Sequence, residues 1–245
     1  MTWRRVLAAV AIVLLVGAMA LWFLLLSPYP VMPEATAALE SDEQVAVATQ
    51  PWLTFAPAAG DASAGLVLYT GARVPPEAYA PLARTVASEG YLVVIPELPL
   101  NLAVLDANAA AEPIAWYDDV DIWAVGGHSL GGAMAARFAA TGEPDGLALL
   151  AAYPEDGLDM TDAALAAQVV LASEDQVADE DRVRAGLMQL PPDSELAEIE
   201  GGNHAGCGWY GDQPGDGVAT ISRTEQTAQT AEAILRLLER LSSGS

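Results

Sequence analysis

Gly127-His128-Ser129-Leu130-Gly131 has the spacing that can make a nucleophile of a serine hydroxyl. An apolar run ending at Val125 leads into this pentad, and a small-residue stretch containing Gly132, Ala133, Ala135 and Ala136 follows it. Read as strand, tight turn and helix, the order lifts a serine side chain to the end of a sheet. Glycine at 127 and 131 leaves room for close backbone approach in such a turn. The helix start offers N–H groups and the positive end of its dipole to a developing oxyanion. A Gly-x-Ser-x-Gly pentad alone is a weak signal, because an ordinary serine in a glycine-rich turn has the same letters. Its place between strand and helix is what favours chemistry.

A serine nucleophile needs a base, and the chain has two histidines, His128 and His204. His128 is the neighbour of Ser129 on the turn and is badly placed to take that hydroxyl's proton. His204 lies in Glu200-Gly201-Gly202-Asn203-His204-Ala205-Gly206, a glycine-rich loop after the last strand. With this type of elbow the chain order is serine, acid, histidine. Val169-Val170-Leu171-Ala172 is a strand running into Ser173-Glu174-Asp175. Asp175 is the preferred acid, holding the tautomer of His204 and stabilising its charged form. Glu174 is the local rival, and Asp156, after the preceding strand, is the topological one. An oxyanion hole needs two backbone donors. Position assigns them to the N–H of Leu130, after the nucleophile, and of Ala72, in the turn after Leu66-Val67-Leu68-Tyr69-Thr70.

These residues need a frame. Strands are expected at 66–70, 91–95, 121–125, 147–152, 169–172 and 196–199. Helices are expected at Pro75–Gly90, from Ser129 to about Ala140, and at Thr224–Leu241. Continuous apolar strands separated by helices predict an α/β fold, a mostly parallel sheet covered on both faces. Ala46–Phe55 is expected to add an antiparallel hairpin or edge strand. The connection from Tyr153 to Gln168 is too short for a large lid.

Thr70-Gly71-Ala72-Arg73-Val74-Pro75-Pro76-Glu77-Ala78-Tyr79, Leu98-Pro99-Leu100-Asn101-Leu102-Ala103, the Ser129 pentad, and Gly201-Gly202-Asn203-His204 followed by Tyr210-Gly211-Asp212-Gln213 together resemble a small bacterial α/β-hydrolase family. Its members are often membrane-anchored and are similar to dienelactone-hydrolase-like enzymes, with serine as nucleophile. The resemblance runs from about residue 40 to the C-terminus. It implies the α/β-hydrolase fold and a Ser129–Asp175–His204 triad, and it implies no substrate. Cys207 stands where that resemblance leads one to expect an aromatic residue; packing is its expected role.

The chemistry these residues predict is acyl transfer to water from an ester-type small molecule, with no metal or organic cofactor. Thioester, lactone and peptide substrates belong to the same class of reaction. The other reading is a silent binding or cell-envelope module on a hydrolase scaffold, since fold alone does not fix activity.

Composition sets the surroundings. The chain has 245 residues, 53% hydrophobic and 18% charged, and is long enough for a sizeable core. It has no lysine. Beyond residue 33, eight arginines face 33 acidic residues, which argues against a nucleic-acid partner. The single cysteine, Cys207, excludes an intrachain disulfide. Arg4 and Arg5 precede an uncharged apolar run from Val6 to Leu26, 21 residues that match the length of a bilayer-spanning helix. The charge asymmetry predicts a signal-anchor with the catalytic domain outside the cytoplasmic membrane. Ala18-Met19-Ala20 offers a cleavage site instead, although the apolar run continues beyond it. Residues 1–33 are thus read as anchor and Pro-rich stalk, and 34–245 as the α/β-hydrolase domain.

Overall fold

The structure is a computed structural model that describes residues 3–243; several side chains of its first helix, those of residues 20–26 included, are outside the described set. Its strands are β1 (Val45–Ala48), β2 (Leu53–Pro57), β3 (Gly65–Tyr69), β4 (Leu92–Ile95), β5 (Trp123–His128), β6 (Gly146–Leu150), β7 (Ala166–Ala172) and β8 (Glu195–Ile199). Its α-helices are α1 (Trp3–Leu26), α2 (Pro33–Ala37), α3 (Ala80–Ser88), α4 (Ala111–Trp116), α5 (Leu130–Ala139), α6 (Glu180–Gly186) and α7 (Arg223–Ser243).

The strands form one sheet in the order β1-β2-β4-β3-β5-β6-β7-β8. From β4 to β8 the pairing is parallel, and β1 and β2 add an antiparallel hairpin at one edge. The central strands are buried along their whole length, as their unbroken apolar sequence requires when both faces are covered by helices. Helices α3 and α7 pack on one another and on the sheet, while α5 packs on β3, β5 and β6. Edge strand β8 keeps Glu195 and Glu198 outward, where they pair with Arg240 and Arg184. Charge on an edge strand discourages further strand pairing.

Two expected elements move. The expected strand at 121–125 is found at Trp123–His128, because Gly126, Gly127 and His128 continue the ladder against β3 and β6. The expected helix over 75–90 divides into a 3₁₀ turn, Pro76–Tyr79, and α3, which restarts with Pro81 in its first turn, where a proline's missing N–H costs no bond. The connection between β6 and β7 contains no helix among the described residues.

The register aligns the strand ends that carry the site. Tyr69 is opposite Gly127, His128 opposite Leu150, Leu150 opposite Val170 and Ala172 opposite Ile199. Loops leaving the C-terminal ends of β3, β5, β7 and β8 therefore meet at one end of the sheet, where open α/β folds bind ligands.

The Pro-rich segment after α1 is packed onto the domain. The Arg73 Nε–H donates to the Ser27 carbonyl at 2.8 Å, the Tyr29 N–H to the Arg73 carbonyl at 2.9 Å, and the Met32 N–H to the Trp209 carbonyl at 2.9 Å. The Tyr29 ring lies 5.1 Å from the Tyr210 ring and 5.1 Å from the Arg73 guanidinium. The stretch read as a Pro-rich stalk thus touches the loops after β3 and β8. The expected membrane-spanning run coincides with α1, and much of it lies outside the described side chains. Among the described residues no helix is long and apolar enough to cross a membrane.

Candidate active site

Ser129 sits between β5 and α5 with φ 54° and ψ −123°. That backbone region costs a serine about 1–3 kcal/mol and persists only where the surroundings impose it. They do so here. The Ser129 N–H donates to the Leu150 carbonyl at 3.0 Å. A Cβ on Gly127 would come within 2.4 Å of Gly131, and one on Gly131 within 2.4 Å of the Thr70 carbonyl. Both glycines are there for close approach, as the pentad predicts. Among the described residues, neither the Leu130 nor the Ala72 N–H has a protein acceptor. A cleft of about 250 Å³ opens over Ser129, lined by Leu130, Ala133, Ala151, Tyr153, Val177 and Ala178. A larger cleft of about 380 Å³ runs behind the His204 loop, past Asp216 and Arg223, and includes none of Ser129, Asp175 and His204.

Asp175 and His204 come together. Asp175 Oδ2 is 2.7 Å from His204 Nδ1, and both side chains are only 1% exposed. The other carboxylate oxygen, Oδ1, accepts from the N–H groups of Val177 and Ala178 at 2.8 Å each. The carboxylate is thereby aimed by its own loop. The rivals are elsewhere. Asp156 is exposed and pairs with Arg182 at 2.9 Å. Glu174 contributes its backbone N–H, which donates to the Gly202 carbonyl at 2.8 Å and so fastens the acid loop to the histidine loop. No hydrogen bond joins the Ser129 hydroxyl to His204 among the described residues; bonds of this kind commonly close only around substrate.

The histidine loop is held from several sides. Asp216 accepts from the N–H groups of His204 at 3.3 Å, Ala205 at 2.8 Å, Gly217 at 2.8 Å and Gln176 at 3.3 Å. Gln226, buried on α7, bonds both the N–H and the carbonyl of Asn203. Arg223 donates to the carbonyls of Ala205, Gly208 and Gly211. Sequence reasoning missed Asp216; the signal was an acid eight residues past Gly208 in a glycine-rich loop with one proline, Pro214, that reads as solvated surface.

His128 is buried, at 1% exposure, and is not free. Its Nδ1 lies 2.8 Å from the Tyr79 hydroxyl, which also accepts the Gly71 N–H at 2.9 Å. Its ring centroid is 4.5 Å from that of His204. Burial, and then the nearby His204, hold its pKa well below the usual histidine range. His128 is therefore a neutral imidazole wedged against the candidate base. Cys207 is buried in the same wall, and burial followed by the nearby carboxylates Asp175 and Asp216 pushes its thiol pKa up. A thiol so placed is inert, in keeping with a packing role. Among the described residues no group of three histidine, cysteine, aspartate or glutamate side chains is arranged to hold a metal.

Comparison with known proteins agrees with this architecture. No curated protein matches the sequence. Among solved structures, the esterase domain of a Rhodothermus marinus protein superposes with a TM-score of 0.60 at 12% identity, over 78% of this chain and 93% of that one. A CIB-like hydrolase of Thermoplasma acidophilum superposes with a TM-score of 0.58 at 18% identity, over 80% and 98% respectively. At such identities the likeness is one of fold. Residues 65–228 match the model of the alpha/beta hydrolase family. That stretch includes every strand of the parallel sheet and the loops that carry Ser129, Asp175 and His204, and the chain belongs to the alpha/beta hydrolase family.

Proposed function

We propose that this hydrolase cleaves ester-type substrates through an acyl-enzyme, with Ser129 as nucleophile, His204 as general base and acid, and Asp175 as the group that orients and stabilises His204. The observation that carries this reading is the fully buried 2.7 Å bond from His204 Nδ1 to Asp175 Oδ2. It leaves Nε2 as the ring nitrogen available to a substrate-bound serine, at the end of the sheet where the strained Ser129 turn lies.

In this mechanism His204 takes the Ser129 proton as Oγ attacks the acyl carbon. The tetrahedral oxyanion is held by the N–H groups of Leu130 and Ala72. The proton then passes from His204 to the leaving oxygen, the carbon–oxygen bond breaks, and the acyl group stays on Ser129. Water, deprotonated by His204, repeats the sequence and releases the acid. The mostly apolar lining of the Ser129 cleft supports an uncharged acyl group, since no cation lines it to receive a carboxylate. The apolar run Val6–Leu26 with arginines ahead of it supports a location at the membrane, with the catalytic domain on the extracytoplasmic side.

The test is turnover of a p-nitrophenyl ester series by the purified protein and its Ser129→Ala variant. The reading expects hydrolysis by the parent and its abolition in the variant at unchanged folding. Equal turnover by both would overturn it.

A further inference from the structure

We infer that Tyr79 and His128 form a positioning pair that locks the candidate oxyanion loop to the candidate base, with His128 held as the neutral Nε2–H tautomer. The inference rests on the functional reading above for its kinetic consequences, but its structural content stands apart from it.

The tautomer follows from counting protons. The Gly71 N–H already occupies one lone pair of the Tyr79 oxygen. If Tyr79 gives its single proton to His128 Nδ1, the Gly71 N–H, the Tyr79 hydroxyl and Nδ1 all have partners, and His128 carries its own proton on Nε2. If instead His128 Nδ1–H donated to Tyr79, the buried Tyr79 hydroxyl proton would need another acceptor, and none is found among the described residues. The first arrangement leaves one group unsatisfied, Nε2, which is buried without a hydrogen bond of ordinary geometry. The His204 backbone carbonyl is close enough to favour a proton on the His128 ring, though outside that geometry. A buried polar atom left in this state is costly, and such atoms are retained at sites where they serve a purpose.

The purpose fits the position. Gly71 precedes Ala72, whose N–H is assigned to the oxyanion hole. The His128 ring centroid lies 4.5 Å from that of His204 with 47° between planes, and 6.3 Å from that of Tyr210. One rigid wedge therefore sets both the oxyanion-side backbone and the plane of the base. Position 71 has no room for anything else: a Cβ there would lie 2.7 Å from His128 Nδ1 and 3.2 Å from the Tyr79 hydroxyl. A protonated His128 would oppose the charged form of His204 that acyl transfer requires, so the wedge must stay neutral. The titratable groups facing it are Tyr79, Tyr210, His204 and Cys207, and burial pushes the pKa of Tyr79, Tyr210 and Cys207 upward, which leaves them uncharged at neutral pH.

With two histidines in the chain, ¹⁵N spectra of the histidine-labelled full-length protein resolve both rings. The pair predicts that His128 is the neutral Nε2–H tautomer at pH 7; an Nδ1–H tautomer, or a charged ring at that pH, would overturn it. This reading needs no substrate and no variant, so it is independent of whether Ser129 turns over an ester. Kinetically, Tyr79→Phe should lower kcat at least tenfold with KM changed less than threefold. His128→Asn, whose Oδ1 can accept in place of Nδ1, should recover kcat relative to His128→Leu by tenfold or more. Tyr79→Phe with parental kcat, or equal losses in the two His128 variants, would contradict the pair while leaving the Ser129 result untouched.

Discussion

Asp175 reaches His204 with one carboxylate oxygen, Oδ2 at 2.7 Å from Nδ1, while the other is spoken for by the Val177 and Ala178 N–H groups. The division separates two roles that can be tested one at a time. In Asp175→Asn the amide oxygen can keep both backbone N–H groups, while the amide NH₂ faces His204 and favours the wrong tautomer. The expected result is a melting temperature within a few degrees of the parent and a kcat lower by about 10⁴-fold, the scale of loss when a triad carboxylate becomes an amide. Calorimetry beside ester kinetics checks both halves.

Asp216 holds four backbone N–H groups, two of them at His204 and Ala205. Asp216→Ala leaves these donors without acceptors in a partly buried loop. A loss of about 2 kcal/mol in urea unfolding is expected, together with a fall in kcat as the His204 loop loosens. Asp216→Asn should keep part of both.

Acid should weaken the fold through His128. Its folded pKa lies well below the ordinary value of 6.5. Below pH 6.5 the unfolded chain binds a proton that the folded protein refuses, so stability falls as pH falls. One such group gives at most about 1.4 kcal/mol per pH unit. Urea midpoints between pH 7.5 and 5 should decline in the parent, and less steeply in His128→Asn. Parallel slopes would show that His128 is not the group responsible.

Where the chain is cut should matter. Ser27, Tyr29 and Met32 bond Arg73 and Trp209, next to the candidate oxyanion and histidine loops. A protein beginning at Ser27 should match the full chain in ester turnover at equal folding. One beginning at Glu34 should melt several degrees lower and lose activity, because the Tyr29 ring no longer fills the space between Arg73 and Tyr210. Thermal melts and kcat on the two truncations decide this.

Much of the frame could be read from the sequence, for specific reasons. Apolar runs ending in glycine, proline or acids marked most strand ends of the parallel sheet, and with two histidines to choose from the reading of the base fell to His204. Asp175, placed at the end of β7 on order alone, is the carboxylate that meets it. Other features were illegible because they depend on three-dimensional neighbours. Glycines 126 and 127 read as turn, yet pair as strand because β3 and β6 flank them on both sides. Asp216 looked like one more surface acid. Tyr79 and His128 are 49 positions apart, and nothing in either local sequence indicates that they share a proton. The Pro-rich segment looked like a spacer because its partners, Arg73, Trp209 and Tyr210, are far along the chain.

The central claim is that Ser129 is the attacking atom's residue, and a fluorophosphonate probe tests it most directly. Treated protein, digested and mapped by mass spectrometry, should carry the adduct on Ser129, with ester hydrolysis lost in proportion to labelling and labelling slowed in Asp175→Asn. An adduct on another serine that tracks the loss of activity, or full ester turnover with Ser129 fully modified, would contradict the account.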